Sequence, residues 1–97
     1  MTDSIHDQIA GNLAKKFGTE YKSHKGIDIV TKTKVVEVET KANSMKQGIG
    51  QVVHSDKARY LAVNKINVKN ALEATKGTGI GVMAPTGRII KQASRKG

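Results

Sequence analysis

The chain contains no cysteine, which excludes disulfides and thiolate metal sites. It has no tryptophan, and Phe17, Tyr21 and Tyr60 are its only aromatics. The core must therefore be aliphatic, and a platform for stacking RNA bases is not expected. No apolar run is long enough to span a bilayer. The opening residues, MTDSIHDQIAGN, lack the charged and apolar blocks of a signal peptide, so an intracellular, cytoplasmic protein is expected. Acids are scarce: 8 Asp and Glu stand against 17 Lys and Arg, for a net charge of +9. Charge on this scale in so short a chain favours a polyanion partner, nucleic acid above all, over lysines kept for solubility.

The 97 residues suggest one domain over 1–97 with a small core, its tail from Ser94 to Gly97 frayed and Arg95 and Lys96 available to phosphate. Ile9, Leu13 and Phe17 recur at a spacing of four and predict a helix from Ser4 to Phe17, capped by Asp3 or Ser4 and ended by Gly18. A hairpin follows, from about Glu20 to Lys41. NSMKQGIGQVVHSDKA carries Met45, Ile49, Val52 and Val53 on one helical stripe, with Ser44 and Gln47 placed for a capping box. Gly48 and Gly50 cost that helix roughly 1 kcal/mol each, and we read them as letting something approach its backbone. RYLAVNK is a buried strand, Asn67 caps a third helix ending at Gly77, and GIGVMAP and GRIIKQ are two further strands. The order α-β-β-α-β-α-β-β implies an α/β fold, a small mixed sheet flanked by helices.

The stretch GIDIVTKTKVVEVETKA gathers the scarce acids. Alternation puts Glu37, Glu39 and Lys41 on one face of the second strand and Val36, Val38 and Thr40 on the other. A four-residue connection, Lys32 to Val35, sets Asp28 opposite Glu39. A two-residue connection, Lys32 and Thr33, sets it opposite Glu37. Both registers leave Asp28 on the glutamate face, and the longer is favoured. Facing carboxylates repel and need compensation. Lys41 is one source and a divalent cation another. Mg²⁺ takes one or two carboxylates with waters and phosphate oxygens, which Asp28 and Glu39 can supply, with the Thr40 carbonyl adding an oxygen. The plainer alternative is a solvated face with a Glu39–Lys41 pair worth under ~1 kcal/mol.

An Asp, a short turn, then Glu-Thr-Lys in an apolar strand resembles the PD-(D/E)XK nuclease superfamily, which includes restriction endonucleases and archaeal Holliday-junction resolvases. The motif falls on Asp28, Glu39 and Lys41, within GIDIV and VEVETK, followed by GIGQVV and YLAV. A Gln in the following helix recurs in these nucleases, and Gln51 fits it; Asp7 is the best match to a first-helix acid. The resemblance covers about 7–63. Ile27 stands in place of the Pro of the motif name, Glu37 is an extra acid, and the first-helix acid is Asp. Whether Glu37 or Glu39 ligates the metal, and whether Asp7 takes part, therefore stays open. A third strand directly after the Glu-Thr-Lys strand is not evident.

The resemblance implies a restriction endonuclease-like core and a Mg²⁺- or Mn²⁺-dependent endodeoxyribonuclease acting on double-stranded or branched DNA, with a homodimer supplying two sites. In that reading Asp28 and Glu39 hold the metal, Lys41 orients water or stabilises charge, Gln51 positions the lysine or the phosphate, and Asp7 binds a second metal or its water shell. Lys25, Lys46, Lys57 and Arg59 are the expected backbone contacts, with steep salt dependence. The alternative is a catalytically inactive nucleic-acid-binding module on the same fold; a third reading is a small basic structural or assembly factor. His6, His24 and His54 show no metal-ligand spacing and are taken as ordinary residues. GTGIGV leads from helix to strand, the reverse of a dinucleotide loop, and Ser55 lacks partners for serine catalysis.

Overall fold

The computed structural model describes residues 4–21 and 26–94. Lys25, His24, Arg95 and Lys96 lie outside them. Helix α1 spans Ile5–Lys16. Ser4 is extended there, and its hydroxyl accepts the Asp7 N–H at 3.1 Å. Gly18, at φ 69°, takes the left-handed conformation that ends the helix. Then come β1 (Ile29–Val30), β2 (Lys34–Glu39), α2 (Met45–Val52), β3 (Ala58–Val63), α3 (Val68–Ala74), β4 (Gly81–Met83) and β5 (Ile89–Lys91). The order of elements is the expected one.

The strands form one five-stranded mixed sheet in the order β1-β2-β3-β4-β5. The two central pairings, β2 with β3 and β3 with β4, are parallel; the two outer ones are antiparallel hairpins. Both parallel connections step the same way across the sheet, so crossovers of one hand put α2 and α3 on one face. There they cover Val35, Leu61, Val63 and Val82. Helix α1 covers the opposite face, where Ile9, Leu13 and Ala14 meet Ile29, Val36, Val38, Ala62 and Met83.

Three local expectations are corrected. The favoured four-residue connection is not formed: Ile29 faces Val36, Val30 faces Val35 and the Thr31 N–H donates to the Lys34 carbonyl at 2.9 Å. The turn is Lys32-Thr33, braced by the Thr31 hydroxyl, which accepts the N–H groups of Thr33 and Lys34. Neither Ser44 nor Asn67 caps its helix. Each of those helices is entered through a 3-10 turn, Ala42–Ser44 or Lys65–Asn67, which leaves the cap residue at ψ 2° or 7°. A capping side chain needs the extended conformation that Ser4 has. Instead Ser44 donates to the Lys41 carbonyl, and buried Asn67 donates to the Thr40 carbonyl and to Asn64. Finally, β1 is only Ile29–Val30; the hairpin is expected from about Glu20, and residues 22–25 of that span lie outside the described residues. Its brevity has a cause in the candidate site.

Candidate active site

Along β2, Val36 and Val38 go to the α1 side and Val35 to the α2–α3 side. Glu37 and Glu39 share the parity of Val35. Asp28 joins them by a different route. Ile27 packs with the α2–α3 cluster and Ile29 with the α1 cluster, so strand alternation breaks at Asp28. There, side chains replace the backbone ladder. The Val38 N–H donates to Asp28 Oδ2 at 2.9 Å, and the Asp28 N–H donates to Glu37 Oε1 at 3.0 Å. The carboxylates thus terminate the hairpin pairing, which is why β1 is short.

All three acids are buried, at 6%, 8% and 9% exposure for Asp28, Glu37 and Glu39. Burial pushes each carboxyl above its ordinary range, Glu37 furthest, up to about 8. The Asp28 charge pushes both glutamates further up. The Val38 N–H and His6 act the other way on Asp28; Ser44 and His6 do so on Glu39. Glu39 lies flat against α2 at Gly48. A Cβ there would sit 2.7 Å from Glu39 Cγ and Oε2. The backbone approach expected of the glycines is therefore Glu39's, at Gly48; beside Gly50 there is nothing within 4 Å.

Helix α1 contributes His6, whose Nε2 lies 3.2 Å from Asp28 Oδ2. Its Nδ1 is 3.2 Å from the Tyr21 hydroxyl, which donates to Asp7 Oδ1 at 2.7 Å. With the phenol proton on Asp7, Tyr21 accepts from Nδ1–H, and the contact of Nε2 with Asp28 Oδ2 is attractive when one further proton lies between those two atoms. The Tyr21 bond holds the exposed Asp7 carboxyl below its ordinary range, while burial and Asp7 raise the phenol. Asp7, Tyr21, His6 and Asp28 form one continuous chain of contacts.

Beside Glu39 opens a cavity of about 420 Å³, lined also by His6, Thr40, Lys41, Ser44 and Gln47 among others; Asp28 and Glu37 are not in its lining. Lys41 is exposed at its wall. The Thr40 carbonyl already accepts Asn67 Nδ2 at 2.9 Å. Gln51, a turn beyond Gln47 on α2, is exposed and lies toward Gly26 rather than along this cavity. Among the described residues, no three His, Asp or Glu side chains converge as a metal-ligand group.

The expected nucleic-acid contacts scatter. Lys46 is exposed in a groove between α2 and α3 that also holds Glu73. Lys57 is half-buried and donates to the Thr31 carbonyl at 2.6 Å. Arg59, expected to meet phosphate, is instead buried and ties backbone together: its guanidinium donates to the carbonyls of Val53, Thr78 and Ser94.

His6 and Gln47 are not expected in the site from the sequence, where His6 reads as an ordinary residue and Gln47 as part of a capping box. His6 had a signal: it stands three, four and seven residues before Ile9, Ala10 and Leu13, so it belongs to the buried stripe of α1. Gln47 directly precedes Gly48, at the point where Glu39 meets the helix. No helix among the described residues is long and apolar enough to cross a membrane. No family model matches the chain, and neither a curated protein nor a solved structure matches it.

Proposed function

We propose that the chain is a metal-dependent DNA endonuclease with a restriction endonuclease-like core, in which Asp28, Glu39 and Lys41 carry the chemistry. One observation supports this above all: three carboxyl groups on the β1–β2 hairpin are buried, Glu37 accepts the Asp28 N–H, and Glu39 lines a cavity walled by Lys41. Such a cluster is unfavourable until a proton or a cation joins it. Two carboxylate donors suit Mg²⁺ or Mn²⁺, which fill their remaining positions with water and phosphate oxygen. Asp28 and Glu39 would hold the ion; Glu37, whose Oε1 accepts the Asp28 N–H, orients Asp28 from behind.

The ion, when bound, polarises the phosphate and makes a coordinated water more acidic. The chain's own residues do the rest. Gly48 lets Glu39 lie on α2, and the Val38 N–H fixes one oxygen of Asp28. His6, held by Tyr21, borders Asp28. Lys41, on the cavity wall, orients the attacking water or stabilises charge growing on the phosphate oxygens. Gln47 lines the same cavity and takes the phosphate-positioning part first assigned to Gln51.

A cleavage panel tests this: linear duplex, single-stranded, flapped and four-way DNA, each with Mg²⁺ and with Mn²⁺. Wild type should cut at least one substrate. Asp28→Asn, which can still accept the Val38 N–H, should abolish cutting and leave DNA binding in EDTA within about twofold. Undiminished cleavage by Asp28→Asn ends the proposal. Salt-sensitive DNA binding without cleavage of any substrate selects the inactive binding module.

A further inference from the structure

At the opposite end of the β1–β2 hairpin from the carboxyl groups lies a second cleft, of about 620 Å³. Its walls are the residues just after α1 (Phe17, Gly18 and Thr19), Val30 and the hairpin turn, and Lys57 just before β3. Three lysines line it, Lys32, Lys34 and Lys57, and no acidic residue is among its described lining residues. Lys32 is exposed on the turn. Lys34 sits over the Phe17 ring, 4.6 Å from its centroid, a contact that fixes the ammonium and leaves its charge intact. Lys57 donates to the Thr31 carbonyl.

We infer that this cleft binds the phosphate backbone of a nucleic acid, as an anchoring site separate from the carboxyl cluster. Fixed like charges bordering one concave space favour an anion with several negative groups. Ammonium groups on flexible stems suit phosphates as point charges and read no bases. Five residues of β2 separate Lys34 from Glu39, about 17 Å at the strand rise, or about five base pairs of duplex rise. Lys34 lies on the α1 face of β2 and Glu39 on the α2–α3 face; β1 is an edge strand among the described residues, so a duplex lying along that edge reaches both around it. The inference shares with the nuclease reading only the nucleic-acid partner.

Fluorescence anisotropy of a labelled duplex in EDTA, from 50 to about 200 mM salt, tests it. Lys32→Glu alone, at an exposed turn position, should weaken binding several-fold. Lys32→Glu with Lys34→Gln should weaken it about tenfold or more and flatten the salt slope by about 2. A control pair on α3 and just beyond it, Lys69→Glu with Lys76→Glu, both exposed, should weaken it less than about threefold. Equal losses in the two pairs overturn the inference, as does tighter binding of wild type to phosphatidylserine vesicles than to the duplex. Loss of binding in the cleft variants, with no cleavage by wild type, upholds the cleft and removes the nuclease. Cleavage by wild type with unimpaired binding by the cleft variants does the reverse.

Discussion

Arg59 and the three acids are buried charges on the same side of the sheet. Arg59 is level with Val35 at one end of β2, and Glu39 is level with Val63 at the other. About 13 Å of strand separates the two positions, too far for the cation to neutralise Glu39. The guanidinium is fully employed by the protein's own backbone, on three carbonyls contributed by three separate segments. The acids have only partial compensation: two backbone N–H groups, a hydroxyl and one imidazole set against three buried carboxyl groups, of which Asp28 raises both glutamates and Glu39 raises Glu37. A buried charge matched from within is architecture. A buried cluster of acids matched only in part is the feature on which the proposed metal site rests.

The sharpest way to break that contrast is to remove each charge and watch stability. Arg59→Met should cost on the order of 3–5 kcal/mol in urea denaturation, because three carbonyls lose a charged donor. A cost under about 1 kcal/mol would mean that Arg59 does not tie those segments together. Glu37→Gln should go the other way at high pH. A carboxyl whose folded pKa of about 8 exceeds its ordinary 4.5 binds more protons folded than unfolded between those values. Stability is therefore full below about pH 4.5 and falls as pH rises to about 8, by roughly 2–4 kcal/mol. Asp28 and Glu39 push in the same direction. Thermal melts in EDTA should show this fall, and Glu37→Gln should flatten it. A wild-type profile that rises over that range would contradict the account of the cluster.

Smaller effects sharpen the comparison within α2. Gly48→Ala places a methyl 2.7 Å from Glu39 and should displace that side chain, costing about 1–3 kcal/mol and Mn²⁺ affinity together. Gly50→Ala meets open space and should stabilise the helix by up to ~1 kcal/mol without touching the site. Equal effects at the two glycines, read by melts and Mn²⁺ titration, would detach Glu39 from α2.

Much of this was legible in the residues. Local periodicity placed all eight helices and strands in order, since a stripe at i, i+4 or an alternating run needs no knowledge of distant contacts. Ser4 was legible as a cap and Gly18 as a stop. The caps at Ser44 and Asn67 were not, because a 3-10 turn ahead of each helix changes the dihedrals of a suitable residue without changing its identity. The hairpin register also escaped, since both connection lengths keep the same face parity.

What the sequence alone determined was the order of elements, the aliphatic core, the positive charge and the concentration of acids in one hairpin. These follow from side-chain chemistry and spacings of a few residues. Tertiary structure decided which charges are matched. It alone set Arg59 on three carbonyls, brought His6 from the first helix against Asp28, laid Glu39 on Gly48 and gathered three lysines at a turn. Desolvation and hydrogen bonding act between chain segments far apart in sequence, and no local pattern encodes their sum.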